Sequence, residues 1–429
     1  MSASRHGFIY VIIAFLVLTF SIATLPGGGP LGGYISDEVW YITAARNILH
    51  AFGVAPNSPF YTTVGQCLKG PPIYEMKHGN TTLYVALEVS CYVRRGFPYP
   101  KPETLTYYNL EHPPLAKYIY AAMIYIQDWP LFWRLAPMAA GLITLLLVYK
   151  KWGLLAAALL LTDRTFIAMS SIAMLDIWPA LFTTLALYYY GSWKSYIFLG
   201  LAGASKYTGL FAAMAYWKKW HVAIPTALTI IAVSYIPLAI TLGPWVYQAA
   251  LESLRWHITP KPPGPVASSP ADWLIMQNSF VLHPQVAATG SFTYFPALIY
   301  SLYAIAKRRD MAESAFFLSC YSGYWLIYAM GNTTLYSFYT AHFAPLAAIQ
   351  TAKLLLSVEL KHKVHSLFWR KFFNPLPKFR QLRLFFHKAV ENLKRNTFGL
   401  RAVYRQDYGK LLNRLTSFCL KHKREKIQL

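Results

Sequence analysis

Phe8 to Leu25 and Val222 to Leu251 each run without one charged side chain. A helix needs ~20 apolar residues to cross ~30 Å of hydrocarbon, so both runs are long enough to span a membrane. Further apolar runs lie at 130–149, 153–161, 177–191, 196–217, 291–306 and 314–352. Only 13% of the 429 residues are charged, against 55% hydrophobic and 17% aromatic. A soluble chain is nearer a quarter charged. The pattern predicts an all-α polytopic membrane protein with about ten crossings. The first run is read as a retained helix, because no small-residue cleavage site follows it and PGGGPLGG reads as a loop.

Three blocks follow. A transmembrane domain is expected over 1–352, with a long first external loop at 26–114 carrying surface helices and a second external loop at 243–290. A basic tail at 353–429 completes the chain. The second loop contains PKPPGPVASSP, which predicts irregular, extended backbone. Nineteen of the 40 Lys and Arg residues follow Ala352, against four acids. Leu382, Phe385, Phe386, Ala389, Val390 and Leu393 recur there at helical spacing. This predicts a cytoplasmic amphipathic helix against anionic lipid headgroups. No nucleic-acid motif accompanies the charge, and no nucleic-acid partner is expected. Cys67 and Cys91 share the first loop and are either a disulfide or two free thiols.

Orientation follows from where the cations fall. Arg5, Lys218-Lys219, Lys307-Arg308-Arg309 and the tail fit the inside, with both long loops outside. Lys150-Lys151 and Lys194 conflict with this if every apolar run crosses once, since seven crossings before the second loop put them outside.

Several ionisable residues sit where charge is expensive. The first loop opens with GGYISDEVWYITAARNIL, in which Asp37 is either a helix N-cap or a general base at the membrane boundary. Val39, Ile42, Ala45 and Leu49 predict the surface helix behind it. The loop closes with EHPPLAK, placing His112 and Lys117 at headgroup level, as helix anchors or as contacts for a lipid phosphate. Arg134, Arg164, Asp176 and Lys206 interrupt apolar sequence. Charge within a bilayer costs ~2.5–3.5 kcal/mol on insertion scales, so such residues pair, line a cavity or sit at an interface. Asp163-Arg164 reads as a helix end, and Asp176 with Lys206 as a buried pair.

GGYISDEVWYITAARNIL resembles the Asp-Glu motif in the first external loop of protein O-mannosyltransferases, and EHPPLAKYIYA their His-Pro-Pro-Leu-x-Lys motif. FWRLAPMAAG, DRTFIAMSSIAMLDIWPALFTTLALYY and GLAGASKYTGL resemble their following helices, in the same order, over roughly residues 30–215. The second loop lacks room for the large sugar-binding domain of eukaryotic members, and SSIAMLD lacks their serine-arginine pair.

The resemblance implies the GT-C glycosyltransferase fold. It also implies inverting transfer of mannose from a dolichyl- or other polyprenyl-phosphate carrier to protein Ser/Thr, at a cell membrane with the site facing out. Asp37, with Glu38 as neighbour or substitute, is then catalytic; His112, Lys117, Arg134, Asp176, Lys206 and Arg255 are substrate-binding. Cations alone hold a departing phosphate, so no metal and no cofactor is expected. Two other readings stand beside it: the same donor with a lipid or lipid-linked acceptor, and a transporter or scramblase using Asp176 and Lys206. The absence of internal repeats weighs against the last.

Overall fold

The computed structural model describes residues 2–25, 33–57, 73–78, 81–86, 104, 106–264 and 266–357. Cys67, Cys91, Cys419 and the expected amphipathic tail helix lie outside them. Contacts divide the chain into Phe8–Thr351 and a second unit joining Met1–Gly7 with Ala352–Leu429. The account below concerns the first unit.

The first unit is mostly helical. Helix α1 (Ser2–Ala23) exposes Ile9, Tyr10, Ile13, Val17 and Phe20. Helix α2 (Glu38–Ala51) follows, then a hairpin of β1 (Ile73–His78) and β2 (Thr81–Ala86), paired antiparallel from Ile73↔Ala86 to His78↔Thr81. Helix α3 (Leu115–Ile126) closes the first loop, and α4 (Pro130–Trp152) follows. Among the described residues, three segments are long and apolar enough to cross a membrane: His6–Ala23, Pro130–Trp152 and Trp220–Leu242. Shorter apolar helices accompany them.

Helix α2 has the expected periodicity but is not a surface helix. Eleven of its 14 residues are buried, so protein encloses it nearly all round. Ile42 and Ile48 are completely covered, each contributing about 1.5–3 kcal/mol on burial. The polar residues of this helix must therefore find partners inside. Arg46 Nε and Nη2 donate to Asp128 at 2.7 and 3.0 Å, and Asn47 Nδ2 donates to the carbonyls of Thr104 and Tyr107 at 2.8 Å each.

After α4 come α5 (Leu154–Leu161), α6 (Arg164–Met169), α7 (Ile177–Tyr188) and α8 (Trp193–Ser205). Asp163 caps α6 by accepting from the Phe166 N–H at 2.8 Å, so Asp163-Arg164 does mark a helix end. The run 196–217, read from sequence as one crossing, is broken at Lys206, whose backbone is extended. A 3-10 helix, Tyr207–Tyr216, then folds back along α8. Gly209 makes the reversal possible, because a Cβ there would meet the Ala202 carbonyl carbon at 2.3 Å. At the far end Ser195 Oγ hydrogen-bonds the Tyr216 hydroxyl, closing the antiparallel pair.

This break alters the parity expected from sequence. Lys151 Nζ donates to the carbonyls of Leu187 and Tyr188, joining the ends of α4 and α7. Lys150-Lys151, Lys194 and Lys218-Lys219 therefore gather at one end of the bundle, beside exposed Trp193, Trp217 and Trp220. Asp176 and Lys206 lie at the other end of α7 and α8.

The next run divides as well, into α9 (Trp220–Ser234), α10 (Ile236–Leu242) and α11 (Trp245–Ile258). The second loop is thus not irregular throughout. It contains α11, α12 (Pro270–Leu274) and a hairpin of β3 (Phe280–His283) with β4 (Val286–Ala288). The proline-rich part stays without helix, because proline lacks the N–H a helix needs. Helices α13 (Tyr294–Ala306), α14 (Met311–Ala329) and α15 (Ala344–Leu356) end the unit, with a 3-10 turn at Ser337–His342.

Candidate active site

The Asp-Glu pair begins α2, and its two carboxylates have different fates. Ahead of it the backbone is left-handed at Gly33 (φ 113°) and at Ser36 (φ 52°). A serine in that region is strained, and such strain gathers at functional turns. Glu38 is saturated. Its Oε1 accepts from Arg134 Nε and the Ala173 N–H at 2.8 Å each; its Oε2 accepts from Arg134 Nη2 at 2.6 Å and the Ile35 N–H at 2.7 Å. Arg134 also donates to the carbonyls of Ala23 and Gly33 at 2.8 and 2.7 Å. A carboxylate with four hydrogen bonds accepted and a guanidinium with four donated form the geometry in which a buried ion pair is tolerated. This pair locks the ends of α1, α2 and α4 to the segment before α7.

Asp37 occupies the N-cap position of α2 without capping it. Its carboxylate makes no ion pair among the described residues. Burial is the main influence on it and pushes its pKa up to about 6; Lys206 pulls the value down and Asp176 pushes it up. Tyr41, Tyr336 and Tyr339 also lie within electrostatic reach of Asp37.

Asp176 and Lys206 meet as expected, Nζ to Oδ1 at 2.6 Å, both nearly dry. Helix α7 delivers the acid from its start, and α8 delivers the lysine from its end. The pair is open on one side. Asp176 Oδ2 is buried with no partner among the described residues, and Lys206 Nζ sits 4.0 Å from the Tyr339 ring centroid.

The EHPPLAK segment is held by Lys117, which is wholly buried. Its ammonium donates to the carbonyls of Asn109, His112 (2.7 Å) and Tyr108 (3.4 Å). Lys117 is thus spent on the loop's own backbone. His112 remains available. Its ring stacks on His257 at 5.3 Å and 23°, and its Nδ1 is buried without a partner among the described residues. Burial first, then the cations around it, hold His112 well below the usual imidazole range.

His257 reaches the site from α11. Its Nε2 lies 3.0 Å from the Glu111 carbonyl, which can only accept, so Nε2 carries the proton. Burial lowers its pKa to about 4, so it is neutral at pH 7. Ser253, one turn earlier, donates to the same carbonyl at 2.6 Å. Arg255 lies between these two on the helix and is therefore turned away from them. It is exposed, and the structure does not bring it to the cluster.

The structure gathers Asp37, His112, Asp176 and Lys206 at one end of the bundle, with Glu38, Arg134 and Lys117 framing them. His257, Lys261 and Tyr339 join the cluster unannounced by sequence. Each comes from beyond residue 243, and no local pattern distinguishes them from structural residues. Among the described residues no three His, Cys, Asp or Glu side chains are placed to hold a metal. Chemically, the cluster offers an unpaired carboxylate beside cations in a drier setting than bulk water.

No protein-family model matches the chain, and no curated protein matches it. Solved structures similar to it include ArnT from Cupriavidus metallidurans bound to undecaprenyl phosphate. That match has 14% identity and a TM-score of 0.47, over 81% of this chain and 60% of that one. ArnT in the apo state gives 14% and 0.44, over 85% and 62%. The oligosaccharyltransferase AglB from Archaeoglobus fulgidus, in complex with an inhibitory peptide and a dolichol-phosphate, gives 14% and 0.43, over 86% and 52%. The chain spans between 52% and 62% of the length of these proteins.

Proposed function

We propose that this chain is an inverting glycosyltransferase that takes a sugar from a polyprenyl-phosphate carrier, with Asp37 as general base. The observation that carries the reading is the division of labour between adjacent carboxylates. Glu38 has no free lone pair left, whereas Asp37 is unpaired, uncapped and raised to about 6. A base is most effective with a pKa near the working pH. The acceptor hydroxyl gives its proton to Asp37 as its oxygen attacks C1; the bond from C1 to the phosphate oxygen breaks, and the phosphate leaves carrying the electron pair. Cations at the cluster stabilise that charge in a setting where water screens little.

Further support comes from helix α3. It bears Lys117, and its Tyr118, Ala121, Ala122 and Tyr125 line an apolar cavity of about 410 Å³ with Leu49, Phe52 and Pro237. A hydrocarbon tail placed there would keep its headgroup beside the cluster. The lysines at the opposite end of the bundle favour the inside of the membrane, which supports a site on the outer face. Mannose as the sugar and protein Ser/Thr as the acceptor rest on the motif resemblance.

Purified protein supplied with labelled polyprenyl-phosphate mannose and membranes tests the reading. Asp37→Asn is expected to lose roughly 10²- to 10⁴-fold in transfer, the usual share of a general base, while inserting and folding normally. Near-normal turnover in that variant sinks the assignment. Label entering lipid rather than protein replaces the acceptor. Flux into proteoliposomes without transfer favours a transporter instead.

A further inference from the structure

We infer that Lys261, backed by the stacked rings of His112 and His257, forms the subsite that takes a phosphate group, in place of Lys117 and Arg255. The inference rests on the reading above for the phosphate's source, but the geometry that supports it is separate. Arg134 is paired with Glu38, and three further cations read from the sequence as substrate-binding are unavailable. Lys117 donates to backbone carbonyls. Lys206 is neutralised by Asp176 at 2.6 Å. Arg255 is turned about 200° from His257 around α11 and faces away.

Lys261 differs on each count. It has no carboxylate partner among the described residues. Its ammonium sits 2.9 Å from the centroid of the Trp256 ring, and that ring lies 5.1 Å from His257. It is half-buried, within reach of solvent and of a ligand. Its backbone is fixed: the N–H donates to the Gly331 carbonyl at 2.9 Å, and its carbonyl accepts from Thr333 Oγ1 at 2.7 Å. A cation on an anchored backbone, resting on an aromatic face and with no carboxylate opposite it among the described residues, is partly preorganised for an anion, since less ordering entropy remains to be lost on binding.

The two histidines complete the setting. Both feel the charge of Lys261. Because both are neutral, they add no repulsion to the cation. His112 Nδ1 is a buried polar atom with no partner among the described residues, an unusual condition that a ligand oxygen would relieve. As an Nδ1–H it donates to that oxygen. Burial lowers Lys261 itself to about 8, as for an ammonium partly stripped of water with no anion beside it.

The ligand chemistry is a phosphate oxygen, from a lipid headgroup or from free phosphate. The test uses the full chain in lipid nanodiscs and measures Kd for a fluorescent polyprenyl phosphate, the matching polyprenol, and inorganic phosphate. A lost charged hydrogen bond predicts that Lys261→Met weakens polyprenyl phosphate binding about tenfold to a hundredfold. Lys261→Arg is expected to stay within about threefold and Arg255→Met to bind as wild type, by the same electrostatic reasoning. Polyprenol binding should not change. Lys261→Gln serves as the second neutral variant if the Met variant does not fold, with the unfolding midpoint as the check.

Lys261-dependent binding of inorganic phosphate alone also supports the subsite and assigns it to free phosphate. An unchanged Kd in the neutral variants overturns it, as does equal weakening of polyprenol. If phosphate binding depends on Lys261 but wild-type protein transfers no sugar, the functional reading fails and the subsite stands. If transfer proceeds with normal Kd in the variants, the reverse holds.

Discussion

Two of the three buried ion pairs among the described residues, Glu38–Arg134 and Asp176–Lys206, have the same length of 2.6 Å. In the first, each carboxylate oxygen accepts two hydrogen bonds and the guanidinium reaches two further carbonyls. In the second, one carboxylate oxygen has no partner among the described residues and the ammonium leans on an aromatic face. The difference follows from side-chain chemistry. A guanidinium presents a planar fork that fills a carboxylate, whereas an ammonium is a point charge that leaves one oxygen over. The closed pair holds elements together. The open pair, beside unpaired Asp37, retains binding capacity.

The contrast can be broken experimentally. The largest effect is expected at the closed pair: Glu38→Gln or Arg134→Met should cost about 3–5 kcal/mol, the usual penalty for stranding a buried charge. The double variant should recover part of it. Unfolding in detergent measures this, and singles with wild-type stability would show that the pair is not the frame.

Asp176→Asn keeps an oxygen for Lys206 and should cost less, about 1–3 kcal/mol, while transfer falls about tenfold or more. Swapping the pair, Asp176→Lys with Lys206→Asp, should restore folding without restoring transfer. Full activity in the swap would make the second pair as purely structural as the first.

Lys117→Met should lower stability by about 1–3 kcal/mol through stranded carbonyls, with a smaller change in donor affinity than Lys261→Met. The opposite ranking would return Lys117 to the phosphate.

The smallest effect concerns pH. Asp37 works as a base only when deprotonated, so transfer should rise with pH through about 6 rather than near the ordinary carboxylate value. Lys206 lowers that pKa, so Lys206→Met should move the rise to higher pH. Asp176 raises it, so Asp176→Asn should move the rise lower. A profile that ignores both substitutions would separate Asp37 from the pair.

Much of this was legible in local pattern. Apolar runs announce helices because a membrane-length apolar segment has few other places to go. The spacing of Val39, Ile42, Ala45 and Leu49 announces α2, and the cost of lone buried charge points to Asp176 meeting Lys206. What local pattern misread was continuity. Residues 196–217 look like one crossing, yet Lys206 breaks them and Gly209 lets the chain double back onto Ala202. The proline run likewise hid α11, because its breaking effect is confined to the few residues around it.

By itself, then, the sequence determined that this chain is helical, belongs in a membrane, and concentrates charge at 37–38, 112–117, 176 and 206. Those are consequences of hydrophobicity and of desolvation cost, which each segment carries with it. Only the tertiary structure decided which charges are consumed and which are left. Glu38 and Arg134 lie 96 positions apart, and Ala173 supplies Glu38 with a further bond from 135 away. No spacing rule reaches so far. Whether Asp37, His112 or Lys261 retains a free valence depends on what the packed chain brings opposite it.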